Sequence, residues 1–153
     1  MLFNKGLFEV VSNVSRNALV PYSAAQMYAL VNDIESYPEF VPWCSKSTFK
    51  EISVIEKEAA LFFSRGVIKT SFTTRNTLFP DKRIELQLID GPFSQLQGVW
   101  QFVDIDEQGS RVQLDVDFEL SSRMLKIALE SFFSQICDRL VTSFVQRANQ
   151  VYK

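Results

Sequence analysis

The last thirty or so residues alternate between apolar and polar positions with the 3.6-residue period of a helix. No proline or glycine interrupts this stretch, and Ser121 or Ser122 can serve as its N-cap. At about 1.5 Å per residue the predicted helix would run to roughly 45 Å, so its apolar side needs an equally long apolar surface opposite. The apolar positions on that side are Leu125, Leu129, Phe132, Phe133, Ile136, Cys137, Leu140, Phe144, Ala148 and Val151.

From Ser45 onward the apolar residues recur every second position, which is typical of strands with one buried face. The pattern predicts six strands, at residues 44–56, 58–64, 67–79, 83–90, 95–105 and 111–120. Turn signals separate them at 56–58, 65–66, 80–81, 91–92 and 106–109. The alternation is clearest in the last strand, where Val112 and Leu114 face one way and Arg111 and Gln113 the other.

The chain before Ser45 is shorter and less regular. Residues 1–12 form a weakly patterned lead-in, and 13–20 predict a first strand that ends at Pro21. Ser23 and Gln26 form a capping box that opens a short helix through Val31. A second helical piece is expected to end before Pro38, and the proline-rich segment 37–44, YPEFVPWC, is expected to be irregular.

This order of elements predicts an α+β, helix-grip architecture formed by residues 13–153 as a single domain. A curved antiparallel sheet of seven strands wraps around the long C-terminal helix, with two short helices after strand 1. Any gap between the sheet and the helix would be an apolar cavity. Two interpretations of the inward-facing aromatic residues stand at this point: they line such a cavity, or they fill it as core.

Composition narrows the range of functions. The 153 residues are 46% hydrophobic and 22% charged, which is typical of a globular protein, and 14 of them are Phe. The first residues lack the features of a secretory signal, so we expect a cytoplasmic protein. There is no histidine, and the two cysteines are far apart in sequence. Ser-His-Asp and Cys-His catalysis are thereby excluded, and neither a metal site nor a required cofactor is expected.

Two groups of residues are candidates for binding. Aromatic and apolar residues on the strands, on the helix and in YPEFVPWC could surround a hydrophobic molecule, with Arg75 reaching a carbonyl if it faces inward. The alternative for each apolar member is simple core packing. The candidate ligand-binding residues are Tyr37, Phe40, Trp43, Phe72, Arg75, Phe93, Trp100, Phe102, Phe132, Phe133 and Ile136.

Charge is distributed unevenly along the chain. The stretch from Lys46 to Arg83 contains eight basic and four acidic residues, so its net charge is +4, while the net charge of the whole chain is −2. Such a patch could attract RNA phosphate or the surface of an anionic membrane, although scattered surface lysines are the commoner meaning. The candidate contacts are Lys46, Lys69, Lys82 and Arg83.

Several motifs carry a resemblance to a known family. Residues 15–44, SRNALVPYSAAQMYALVNDIESYPEFVPWC, together with KTSFTTRNTL, DGPFSQLQGVWQF and the acid-alternating DVDFEL before the terminal helix, resemble the ribosome-association toxin (RatA) family. More broadly they resemble the coenzyme Q-binding, polyketide-cyclase-like branch of the START superfamily. The resemblance implies a START-like helix-grip fold without catalytic activity.

The resemblance also implies two functions of different classes. Quinone-binding members hold ubiquinone or a related isoprenoid lipid in the cavity and support respiration, whereas toxin-like members bind the large ribosomal subunit and block subunit joining. We expect the first for this chain and keep the second as the alternative, with no DNA partner in either. A cyclase or other enzyme is the third hypothesis, and it would have to work without histidine.

Overall fold

Seven antiparallel strands and three helical segments make up residues 11–152, the part of the chain that the computed structural model describes. The predicted lead-in lies outside these residues, apart from Val11 and Ser12. In chain order the elements are β1 (Ser12–Val20), α1 (Ala24–Asn32), a 3₁₀ helix (Ile34–Glu39), β2 (Cys44–Ser53), β3 (Glu56–Arg65), β4 (Ile68–Phe79), β5 (Arg83–Asp90), β6 (Phe93–Asp106), β7 (Gly109–Leu120) and α2 (Arg123–Val151).

The strands form one sheet in the order β1-β7-β6-β5-β4-β3-β2, so every neighbour along the sheet except β1 and β7 is also a neighbour in sequence. β1 forms one edge of the sheet and pairs with β7, with Ser12 opposite Phe118 and Val20 opposite Ser110. The sheet curves around α2, which confirms the predicted helix-grip architecture. Its inner face carries the apolar set predicted for β7, and Val112, Leu114 and Phe118 are all at most 1% exposed.

The helix N-caps predicted from the sequence are confirmed at both α1 and α2. The Ser122 hydroxyl accepts a hydrogen bond from the Leu125 N–H and caps α2. Ser23 and Gln26 form both bonds of the capping box at α1. The predicted stripe of α2 is wrong at its end, because Val151 is 49% exposed, whereas Val141, absent from the predicted stripe, is buried.

Two predicted boundaries differ from the structure. The turn between β2 and β3 falls at Val54–Ile55 rather than at 56–58, because the Ser53 hydroxyl accepts the Ile55 N–H and forms the turn with its side chain. The 3₁₀ helix continues through Pro38 to Glu39, since the fixed φ of proline is compatible with 3₁₀ geometry. Within YPEFVPWC only residues 40–43 are irregular.

Candidate functional site

A small cavity lies between the inner face of the sheet and α2. Its volume is about 70 Å³, under half of the roughly 150 Å³ at which an apolar cavity in a protein core admits a benzene molecule. The cavity is lined by Val31, Ile34, Tyr37, Ala59, Leu61, Phe63, Phe72, Thr74, Asn76, Ile84, Leu86, Leu96, Gly98, Trp100, Leu114, Val116, Phe133, Ile136, Cys137 and Leu140. The interior is therefore almost completely filled by side chains.

Packed aromatic rings account for this filling. On one side the ring centroid of Phe133 lies 4.6 Å from Phe118, 4.9 Å from Phe93 and 5.5 Å from Phe72. On the other side the Phe144 ring lies 5.3 Å from both Tyr37 and Trp100. Edge-to-face packing of this kind lets the rings interlock and leaves little empty space between them.

Polar groups reach the cavity at three points. The Thr74 hydroxyl donates to the Asn76 side-chain oxygen (2.7 Å), and these two residues are only 6% and 4% exposed. The Asn76 side-chain oxygen accepts this bond, while the N–H groups of the same amide donate to no group among residues 11–152. Those N–H groups are therefore available to an acceptor in the cavity. The Tyr37 hydroxyl is already engaged, because it donates to the Val31 carbonyl (2.5 Å).

The two cysteines are free and buried thiols. Burial raises the pKa of Cys137, which lines the cavity, to about 12, and the neighbouring Asp138 carboxylate adds to this effect. Burial likewise raises the pKa of Cys44 to about 11. Both thiols are neutral at physiological pH, so neither has the thiolate character of a nucleophile.

Five of the eleven predicted ligand-binding residues line the cavity: Tyr37, Phe72, Trp100, Phe133 and Ile136. Five others pack elsewhere around the core, and these are Phe40, Trp43, Phe93, Phe102 and Phe132. Arg75 was predicted to reach the cavity only if it faces inward, and it faces outward. Its side chain is 45% exposed and pairs with Glu58 at 3.4 Å on the outer face of the sheet.

The alternation of β4 places Thr74 on the inward face with Phe72, as the structure confirms. The candidate ligand-binding residues nevertheless included neither Thr74 nor Asn76, because neither residue type by itself indicates burial. A Thr and an Asn two residues apart on an apolar face are the signal that could have identified the pair, because a mutual hydrogen bond allows both to be buried.

Trp43 occupies a different surface, where the 3₁₀ helix leads into β2. Its φ of +63° lies in the left-handed region, which costs a bulky residue about 1–2 kcal/mol. The surroundings hold this conformation: the Trp43 carbonyl accepts the Ser64 N–H (2.9 Å), and its ring packs on Phe132 with centroids 5.5 Å apart. The guanidinium carbons of Arg65 and Arg139 each lie 5.1 Å from the Trp43 ring centroid.

The outer face of the sheet is divided in charge. Lys46 and Lys69 are exposed near one end of β2 and β4, and no carboxylate among residues 11–152 forms an ion pair with either. On the other side of the same face, β7 carries three acids: Asp115, Asp117 and Glu119. The cations and the acids of the outer face thus lie on different strands, with β5 and β6 between them.

The four predicted basic contacts do not form one patch. Lys46 lies opposite Phe62, and Phe62 lies opposite Ser71, two residues from Lys69. Lys82 and Arg83 lie beyond the far end of β4, which is ten residues along the strand from Lys69 and therefore roughly 33 Å away. Arg83 also pairs with Glu85 at 3.0 Å. Only Lys46 and Lys69 belong together.

Two further findings bear on the class of protein. Over the described range, 11–152, no helix is long and apolar enough to span a membrane. Nor do these residues contain a group of three or more His, Cys, Asp or Glu side chains that could hold a metal ion.

Comparison with known proteins adds relatives of this sequence and fold. Residues 20–145 match the family model described as polyketide cyclase / dehydrase and lipid transport. The chain is 41% identical to a Pseudomonas aeruginosa protein named ribosome association toxin RatA, over 92% of this chain and 98% of that protein. It is 27% identical to a Dictyostelium discoideum protein named coenzyme Q-binding protein COQ10, mitochondrial, over 86% of this chain and 66% of that protein.

A solved structure of similar fold is the Zhui aromatase/cyclase from Streptomyces, with a TM-score of 0.78 at 16% identity over 94% of this chain and 97% of that one. At this level of identity the likeness concerns the fold. The two relatives described above are named as a toxin and as a binding protein, not as enzymes.

Proposed function

The chain belongs to the polyketide cyclase / dehydrase and lipid transport family and, within it, to the family of the relatives named ribosome association toxin RatA, and from this we propose that it associates with the ribosome. The binding partner we propose is the large subunit, whose occupation would hinder subunit joining. This role is non-enzymatic and uses the surface of the protein.

The observation that carries the proposal is the small volume of the interior. A cavity of about 70 Å³ has no room for a prenyl chain unless α2 moves, which favours a function that uses the outer surface. That surface offers cations without acidic partners among residues 11–152, at Lys46 and Lys69. Contacts between such cations and RNA phosphates gain free energy by releasing counterions.

Cosedimentation with purified large ribosomal subunits over a series of salt concentrations tests the proposal. We expect binding at low salt that weakens steeply as salt rises. The double variant Lys46→Glu/Lys69→Glu should lose most of this binding. Lys82→Glu is the matched control, since it reverses one exposed lysine at the other end of β4. Absence of cosedimentation at low salt for the unmodified chain would refute the proposal.

A second candidate function is the binding of a hydrophobic ligand, an isoprenoid quinone such as ubiquinone, in support of respiration. The apolar lining of the cavity and the free Asn76 amide favour it, because that amide could donate to a quinone carbonyl. The relative named coenzyme Q-binding protein COQ10 also supports it. Since the cavity is smaller than a single aromatic ring requires, α2 would have to move away from the sheet to admit the ligand.

Organic extraction and mass spectrometry of the protein purified from its own host test this candidate. A bound quinone would appear in near-stoichiometric amount, and it would be lost from an Asn76→Leu variant if the amide holds the carbonyl. Recovery of no lipid, together with no uptake of added quinone, would exclude quinone binding and leave ribosome association unaffected.

A further inference from the structure

Two arginines surround Trp43 without an acidic partner. The Arg65 guanidinium carbon lies 4.7 Å from the Phe132 ring centroid as well as 5.1 Å from that of Trp43, and its NH1 group donates to the Gln135 side chain (2.5 Å). Arg139 is exposed on the next turn of α2. Among residues 11–152 no carboxylate forms an ion pair with either arginine. Two like charges are thus held beside one indole ring with no neutralising group.

Arg147 shows what the same arrangement looks like when it is complete. Arg147 lies on the same helix, its guanidinium carbon is 5.0 Å from the Phe40 ring, and it pairs with Glu39 at 2.8 Å. Arg147 therefore has both an aromatic ring and an anion from its own chain, whereas Arg65 and Arg139 have aromatic contacts but form no ion pair with residues 11–152. The missing element beside Trp43 is an anion from outside the chain.

An open groove of about 450 Å³ adjoins this cluster, because the Ser64 N–H that the Trp43 carbonyl accepts belongs to a residue of its wall. The groove is lined by four hydroxyl-bearing residues, two phenylalanines and one lysine: Ser45, Ser64, Thr70, Ser71, Phe62, Phe63 and Lys69. Hydroxyl side chains bind phosphate oxygens and sugar hydroxyls, and the planar guanidinium group binds phosphate through two N–H groups at once.

We propose that Arg65 and Arg139, positioned by Trp43, bind the phosphates of an exposed RNA strand or loop, and that the adjoining groove holds the neighbouring nucleotide. The inference rests on the proposed association with the ribosome and identifies where that contact is made. Trp43 directly precedes the edge strand β2, so the proposed contact runs from Arg139 on α2 past Trp43 to Lys46, three residues further along the chain. Exposed RNA strands suit such a site because their sugars and bases are accessible.

The test compares Arg139→Gln with Arg147→Gln in binding to purified large ribosomal subunits at several salt concentrations. Loss of one phosphate contact should lower the slope of log affinity against log salt by about 0.7–0.9 and weaken binding several-fold. We expect this change for Arg139→Gln and none for Arg147→Gln, which removes an equally stacked arginine that already has its anion. Arg139 is exposed, so its replacement leaves the fold intact.

A second measurement separates this site from the proposed function. Addition of a ten-nucleotide oligouridylate should quench the fluorescence of Trp43, because Trp100 is 4% exposed and out of reach, and Arg139→Gln should reduce the quenching. If the unmodified chain binds subunits but Arg139→Gln binds with the same affinity and slope, the site is overturned and ribosome association stands.

If the unmodified chain binds no subunits, the proposed function fails, and the oligonucleotide measurement alone decides whether the site binds RNA. Vesicles of phosphatidylglycerol provide the remaining arm. Binding to vesicles that depends on Arg139, combined with binding to the oligonucleotide that does not, would overturn the assignment to RNA and indicate a lipid surface.

Discussion

Truncation of Phe133 to alanine tests how full the interior is. Phe133 is 4% exposed, lines the cavity and contacts three other phenylalanine rings. The atoms that the substitution removes are those of a benzene ring, so the new void has the shape of benzene and joins the existing 70 Å³. The variant should therefore have a cavity that exceeds the roughly 150 Å³ known to admit benzene.

The expected cost of Phe133→Ala is about 3–5 kcal/mol in the free energy of unfolding, as for other buried Phe-to-Ala substitutions. Domains of this size are stable by about 5–15 kcal/mol, so the variant should fold but be much weakened. Phe133→Leu provides a milder substitution at the same position. Phe62→Ala is the control, because Phe62 is half-buried on the outer face and its removal opens no internal void.

Urea unfolding with and without benzene measures the effect. At a benzene concentration about 100 times its dissociation constant, binding should restore about 2.7 kcal/mol to Phe133→Ala. The unmodified protein and Phe62→Ala should not respond. A clear stabilisation of the unmodified protein by benzene would refute the reasoning, because it would show that the interior already opens to a guest of that size.

Three further predictions concern single positions. Ala59→Val places two methyl groups in the cavity and should raise the free energy of unfolding, measured in urea, by about 1.6 kcal/mol, since each buried carbon group contributes about 0.8 kcal/mol. A loss of stability would show that the space is not free. Gly91→Ala would bring a Cβ to 2.8 Å from the Phe72 Cβ at a φ of +151°, whereas the Cβ of Gly66→Ala would meet nothing within 4 Å. Gly66→Ala should therefore lower the free energy of unfolding by only about 1–2 kcal/mol, for its φ of +61°, and Gly91→Ala should lower it by more. Equal losses measured in urea would contradict the contact with Phe72. The Cys44 and Cys137 thiols should resist iodoacetamide at pH 8 in the folded protein and react in urea, as mass spectrometry would detect, because burial raises their pKa values to about 11 and 12. The stability linked to these neutral thiols is complete below about pH 8.5, and it is lost as the pH rises toward those pKa values. Rapid labelling of the folded protein would contradict the thiol prediction.

The architecture could be predicted from the sequence because the chain contains both a clear two-residue hydrophobic period, typical of strands, and a clear 3.6-residue period, typical of a helix. The strict alternation of β7 and the helical stripe of α2 each identify one buried face, and two such faces can only pack against each other. Boundaries were predicted less well where side chains replace the usual turn residues. The turn at Val54 is the clearest case, since Val54 is 94% exposed and apolar, and only the Ser53 hydroxyl identifies the turn.

The candidate site could be predicted only in part. Alternation along a strand identifies which residues face inward, as it did for Phe72 and Trp100, but not whether inward-facing rings meet each other or leave space. That outcome depends on ring orientations that a linear pattern does not encode. The arginines beside Trp43 come from β3 and α2, about seventy residues apart, so no local motif could have joined them.

The pairing of β1 with β7 has a consequence for how this protein is made. Ser12 finds its partner Phe118 only after more than a hundred further residues have been synthesised, and α2 comes later still. During translation the nascent chain can therefore build hairpins from β2 to β7 before α2, the long helix that packs against their apolar face, exists. β1 must therefore remain an unpaired segment until β7 has been synthesised, and the long helix can pack against the sheet only after that.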